Sequence, residues 1–124
     1  LFPTVCELAG LTPPTGLEGV SLLPLFSDPV RKWKTAVFSQ YPRSLKGNRH
    51  SRHGDVMGYS LRTKRYRYVE WQIWKTKVVV ARELYDRRSD PAEMRNVADE
   101  AQVRLVVDRL AKRLAKGWES ALPK

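Results

Sequence analysis

The side chains best able to hold an anion are concentrated in RSLKGNRHSRHGD, residues 43–55, where Lys46, Arg49, His50, Arg52 and His53 follow Arg43. Arginine's planar fork can grip a carboxylate or a sulfate through two parallel hydrogen bonds, and lysine adds a point charge. His50 and His53 stand three apart with Asp55 just beyond. Two histidines and one aspartate on a glycine-flanked loop make a thin ligand pattern, and no metal site is assigned. Cys6 is the only cysteine. It has no intrachain partner, and its apolar helical setting suits a small core residue better than a nucleophile.

The charge around that loop is unevenly spread. Residues 1–30 hold three acidic side chains and no Lys or Arg, whereas residues 31–88 hold 16 basic against 4 acidic ones. Such a field favours a polyanionic partner: nucleic acid, acidic lipid or sulfated sugar. With 42% hydrophobic and 29% charged residues in 124, the chain has enough apolar content for one compact core, which excludes the disordered class. No run of 18 apolar residues occurs, so no membrane span is expected.

The elements that must position the loop can be read from residue patterns. Residues 2–9 suit a short helix, with Pro3 near its start and Gly10 able to close it. LTPPTGLEGVSLLPLFSDP is too rich in proline to be more than a packed, irregular connector. TAVFSQY, ending at Pro42, reads as a strand, and VMGYSLRT and YRYVEWQIW read as two strands joined through Lys64 and Arg65. In the second of these, one face carries Val69, Trp71 and Ile73, and the other is amphipathic. Trp71 and Trp74 are expected to pack within the sheet. VVVARELYD supplies a further strand. Val103, Val106, Val107, Leu110, Leu114 and Trp118 then recur at helical spacing over more than four turns. The expectation is an α+β fold: an antiparallel sheet of three to four strands packed by a long C-terminal helix.

Between the last strand and that helix lies SDPAEMRNVADE, residues 89–100. Asp90 suits an N-cap, Pro91 a first helical position, and Glu93 the reciprocal capping-box offset, while Asn96 can close the turn through its own side chain. The stretch is therefore expected to be a structural clamp. Arg43, at a strand end, is expected either to form a structural ion pair or to contact substrate.

ELYDRRSDPAEMRNVADE, residues 83–100, resembles the C-terminal signature of the sulfatase family, in which a strand ending in Leu-Tyr-Asp leads into an Asp-Pro-x-Glu-x-x-Asn turn. LFPTVCELAGL is similar to the Pro-Thr helix near the end of that family's large catalytic domain, with LEGVSLLPL as the stretch that follows. FSQYPR and MGYSLRTKRYRYVEW, in the same order, resemble the iduronate-2-sulfatase branch. Residues 44–56 and 75–82 match least well.

The resemblance implies that residues 1–30 are the tail end of the large catalytic domain and a connector, and that residues 31–124 form a C-terminal α+β subdomain docked on it. The large domain would supply the chemistry: a formylglycine made from the Cys or Ser of a Cys/Ser-x-Pro-x-Arg motif, and a divalent cation, usually calcium. Neither belongs to this chain. Cys6 is followed by Glu7, Leu8, Ala9 and Gly10, and Ser39 has Pro42 and Arg43 at offsets three and four instead of two and four. No catalytic residue is assigned here, and the chain by itself is expected to hydrolyse no sulfate ester. Lys46, Arg49, His50, Arg52 and His53 are the expected substrate-binding residues, for the carboxylate and sulfates of a uronic-acid polysaccharide at the mouth of the pocket. The implied partners are the catalytic domain and a sulfated, anionic glycan, in a periplasmic, secreted or lysosomal protein. A rival reading takes LRTKRYRYVEWQIWKTK as a nucleic-acid-binding platform, but the run lacks the Gly-aromatic pattern of an RNA-recognition sheet, and half its aromatics should point inward.

Overall fold

The computed structural model describes residues 1–44 and 55–123, in two compact units, Leu1–Trp33 and Lys34–Lys124. The five expected substrate-binding residues, Lys46, Arg49, His50, Arg52 and His53, lie outside the described residues.

In the first unit, α1 (Phe2–Leu8) carries Pro3 in its first turn, where an N–H would have no helical partner. It ends in a Schellman closure. Gly10 adopts φ 72°, its N–H donates to Glu7 O at 3.0 Å, and the Leu11 N–H donates to Cys6 O at 2.9 Å. The buried hydroxyl of Thr4 accepts from the Leu22 N–H at 2.9 Å and ties α1 to the proline-rich stretch, which folds only into the single turn α2 (Pro24–Ser27). Cys6 is buried, as its setting foretold.

The second unit is a meander of four strands, β1 (Val37–Arg43), β2 (Val56–Arg62), β3 (Tyr66–Ile73) and β4 (Val79–Asp86), each antiparallel to the next. Pro42 falls inside β1 instead of ending it, which an outer strand tolerates because one side of its backbone needs no ladder donor. Lys64 and Arg65 do join β2 to β3, without the positive φ of the favoured hairpin turns. The Thr63 hydroxyl accepts from the Tyr66 N–H at 2.9 Å and so replaces a backbone acceptor, while Arg65 grips both oxygens of Asp86 at 2.7–3.1 Å.

The register puts Phe38, Leu61, Tyr68 and Leu84 side by side in one row across all four strands. Leu61, Tyr68 and Leu84 are fully buried, and Val107 and Leu110 of α3 (Arg104–Ala115) join them in the core. Removing each such side chain from water is worth about 1.5–3 kcal/mol, so α3 is the main cover of the core. It covers the Tyr66/Tyr68 side of β3, while Val69, Trp71 and Ile73 point to the opposite face. The helix is also shorter than its apolar stripe suggests. Gly117 breaks it at φ 77°, and Trp118 falls in a separate 3-10 turn, Trp118–Ala121.

No helix starts at Asp90. Residues 90–93 form a turn closed by the Glu93 N–H on Asp90 O at 3.1 Å, and the Asp90 carboxylate accepts from the Arg95 N–H at 2.9 Å. Glu93 adopts φ 56° and turns away from Asp90 to pair with Arg67 at 2.6 Å and Arg87 at 3.2 Å, so two cations displace the capping-box contact. Asn96 closes the turn and does more. Its Oδ1 accepts from the N–H groups of Leu84 (2.9 Å) and Ala98 (3.0 Å), and its Nδ2 donates to Arg82 O at 3.1 Å. With the Val97 N–H on Leu84 O at 2.9 Å, residues 96–97 stand in for a fifth strand along β4. The stretch is the structural clamp expected, by another geometry.

Candidate functional site

The connection carrying the basic residues leaves the sheet after β1 and returns at β2, and its described base is fixed. Arg43 faces Val56 across the ladder, the Ser44 hydroxyl donates to Asp55 Oδ2 at 3.2 Å, and Asp55 O accepts from the Trp74 N–H at 3.1 Å. The turn between β3 and β4 is thereby bonded to the same base.

Arg43 makes no ion pair within 4 Å among the described residues; its guanidinium lies 5.6 Å from the Trp71 ring centroid. Trp71 is held from below because Gly58 leaves room for it. A Cβ on Gly58 would stand 2.8 Å from the indole. The Trp71 Nε1–H donates to Glu83 Oε1 at 2.8 Å, and Glu83 Oε2 accepts from the Tyr85 hydroxyl at 3.0 Å. Arg67 stacks 4.6 Å from the Tyr85 ring and pairs with Glu93. Burial, reinforced by Glu83, pushes the Tyr85 phenol above its ordinary range, so it donates throughout neutral pH. Alternating cations, rings and carboxylates therefore run from the clamp at Glu93 to Arg43, along the face of the sheet that α3 leaves uncovered.

The other face holds a second network. Glu70 is only 7% exposed; its Oε1 accepts from the Tyr68 hydroxyl at 2.7 Å and its Oε2 from Gln72 Nε2 at 2.9 Å. Arg82 Nε donates to the Tyr68 oxygen at 3.1 Å and lies 3.5 Å from Glu70 Oε1. Burial, then Glu70, raises the Tyr68 phenol well above its usual value. A buried carboxylate with three partners is a rigid support, since breaking it would strand a charge.

These aromatics also weigh against the nucleic-acid platform. Tyr66 and Tyr68 pack toward α3 and Trp71 lies on Gly58, so β3 presents no open row of rings. Trp74 departs from the packing expected of it: it is 42% exposed, and Lys77 Nζ lies 4.1 Å from its ring centroid. An open cleft of about 640 Å³ elsewhere, between α3 and Ser120, is lined by Arg109, Lys112, Arg113 and Lys116 with no aromatic group.

The described residues do not fit the cation that the resemblance implies. Among the described residues no three His, Cys, Asp or Glu side chains gather, and Asp86, Glu70, Glu93 and Glu100 are each paired with arginine. Nor does Cys6 or Ser39 stand in an arrangement that would activate it; Ser39 faces Ser60 in the β1–β2 ladder. Among the described residues the charged and aromatic side chains brace and orient one another.

A four-stranded antiparallel meander backed by one C-terminal helix is the fold of a sulfatase C-terminal region. The N-sulphoglucosamine sulphohydrolase C-terminal family matches residues 1–120, and this chain belongs to it. It is 32% identical to arylsulfatase K of Xenopus laevis over 114 residues, 92% of this chain and 20% of that protein. It is 33% identical to the Delta 4,5-hexuronate-2-O-sulfatase of Bacteroides thetaiotaomicron over 101 residues, 79% of this chain and 18% of that protein. Among solved structures, the phosphonate monoester hydrolase of Agrobacterium radiobacter superposes with a TM-score of 0.70 at 28% identity, covering 98% of this chain and 24% of that one. The chain thus spans about a fifth of the length of the curated relatives it matches.

Proposed function

We propose that this chain is the C-terminal subdomain of a sulfuric ester hydrolase acting on sulfated, uronic-acid-containing glycans, with an iduronate-2-sulfatase-like preference as the finer form of that reading. The observation that carries it is the family match over residues 1–120, joined by relatives named arylsulfatase K and hexuronate-2-O-sulfatase. Residues 1–30 belong, on this reading, to the end of the catalytic domain, and residues 31–124 to the subdomain that packs on it. Calcium and formylglycine belong to the catalytic domain, where together they supply the electrophilic support and the nucleophile for sulfate. The hydrolase is periplasmic, secreted or lysosomal, and no helix among the described residues is long and apolar enough to cross a membrane.

This chain's own part is recognition. The braced base at Arg43, Ser44 and Asp55 holds the ends of the basic connection, and Lys46, Arg49, His50, Arg52 and His53 meet the sugar's carboxylate and sulfate groups. A charge-assisted hydrogen bond is worth about 1.5–3 kcal/mol, hence roughly 10- to 100-fold in affinity. In the full-length protein, changing Arg49→Ala and Arg52→Ala together should raise KM for a 2-O-sulfated uronate disaccharide at least about tenfold and leave kcat nearly unchanged. Unaltered kinetics would remove the binding assignment. Failure of the wild-type protein to release sulfate from any sulfated sugar, with cleavage of a phosphonate ester in its place, would move the whole reading to the chemistry of the Agrobacterium neighbour.

A further inference from the structure

The turn between β3 and β4, residues 74–78, takes no part in the core, yet it is tightly specified. The Ile73 N–H donates to Val78 O at 2.9 Å, the Lys77 N–H to Ile73 O at 2.8 Å, and the Val78 N–H to the Thr76 hydroxyl at 3.4 Å. Lys77 occupies the left-handed region at φ 61°, where glycine or asparagine would sit more easily. Strain at a surface turn calls for a return elsewhere. Here it sets the Lys77 ammonium 4.1 Å from the centroid of a half-exposed indole. Lys75 is exposed beside them, and neither lysine has a carboxylate within 4 Å among the described residues. The Trp74 N–H on Asp55 O fixes the turn to the base of the basic connection, on the same end of the sheet.

An exposed ring bearing a cation, with a second cation free beside it, matches a ligand that has an apolar face and an anionic group at its edge. An acidic sugar has both: axial C–H bonds to lie on the indole, and a carboxylate or sulfate to meet an ammonium. A nucleic-acid strand would call for a series of stacking rings, and the turn 74–78 offers one, Trp74. We propose that Trp74, Lys75 and Lys77 form a binding subsite for one uronate or sulfated residue of a glycan chain. The proposal rests on the glycan reading above for the identity of its ligand and names a second contact region for it.

The test is calorimetric titration of the full-length protein with a sulfated uronate tetrasaccharide. Trp74→Ala should raise Kd about tenfold and Trp74→Phe less, since a smaller ring keeps part of the stacking surface. Lys77→Gly is the decisive variant because it relieves the backbone strain and deletes the ammonium together. It should raise Kd about fivefold while leaving thermal stability equal or higher, whereas a purely structural Lys77 would lower stability and leave Kd alone. Unchanged Kd in both Trp74→Ala and Lys77→Gly overturns the subsite. So does equal competition by a single-stranded oligonucleotide, which would mark a general polyanion surface. A protein that cleaves no sulfate ester but loses tetrasaccharide binding in these variants keeps the subsite and refutes only the hydrolase reading. Active sulfatase with unaltered Kd in the variants does the reverse.

Discussion

Asn96 is an exposed polar side chain that supports β4 through three hydrogen bonds, and its removal gives a worked prediction. Asn96→Ala deletes three hydrogen bonds, to Leu84 N–H, Ala98 N–H and Arg82 O. The bonds to Ala98 and Arg82 can be replaced by water and contribute about 0.5–1.5 kcal/mol each. Leu84 is fully buried, so its N–H is left without an acceptor at a penalty of about 1–3 kcal/mol. The total, about 2–6 kcal/mol, corresponds to a fall in Tm of roughly 8 °C or more at about 4–8 °C per kcal/mol for a unit of this size. Asn96→Asp keeps the acceptor for Leu84 and loses only the donor to Arg82, so it should cost less than half as much. Urea unfolding followed by circular dichroism gives the energies, and amide exchange at Leu84 reports the local effect, with faster exchange expected in Asn96→Ala. Stability of Asn96→Ala within about 0.5 kcal/mol of wild type, or unchanged exchange at Leu84, would show that Asn96 does not hold β4.

Gly58→Ala should destabilise by about 1–3 kcal/mol despite alanine's better strand propensity, because the new Cβ meets an indole anchored by Glu83; the paired variant Gly58→Ala, Trp71→Leu should recover most of the loss in the same melts. Asp86 and Asp90 titrate below the ordinary carboxylate range, Asp86 chiefly through Arg65 and Asp90 through the Arg95 N–H. Protonation therefore favours the unfolded chain: their support is complete above the unfolded value near pH 4, is lost as pH falls through the lower folded values, and should vanish from the acid limb of a stability–pH curve in the double Asn variant. The raised Tyr68 phenol has the opposite sense, its support being full below about pH 10 and lost above it. Tyr68→Phe should weaken that alkaline loss, and at neutral pH it should cost about 1–3 kcal/mol by taking the hydroxyl from the buried Glu70 carboxylate.

Much of the architecture was legible because its signals are local. The Pro3 start and Gly10 stop of α1, the alternation in β3, and the helical spacing of Val107 and Leu110 all act within a few residues. What failed depends on distant partners. Asp-Pro-Ala-Glu satisfies the capping-box offsets, but Arg67 and Arg87 draw Glu93 into ion pairs, and neither cation is apparent from residues 89–100. Alternation showed that β3 has two faces and left open which one α3 would cover. The Tyr68 face won, in register with Phe38, Leu61 and Leu84, and Tyr68 brings its own hydroxyl partner in Glu70. Trp118 was counted into the helix although Gly117, a visible stop signal, precedes it. Of the site, the anchoring ends Arg43 and Asp55 are placed by the structure, the five basic and histidine residues between them fall outside the described part, and the Trp74–Lys77 contact required a left-handed lysine that no residue pattern announces.

The two margins of the sheet are not equivalent. Residues 96–97 bond the outer backbone of β4 at Arg82 and Leu84, whereas among the described residues β1 pairs only with β2. Strand addition is consequently obstructed at the middle of β4. The clamp that leads into the final helix thereby also shields part of one sheet margin from edge-to-edge pairing.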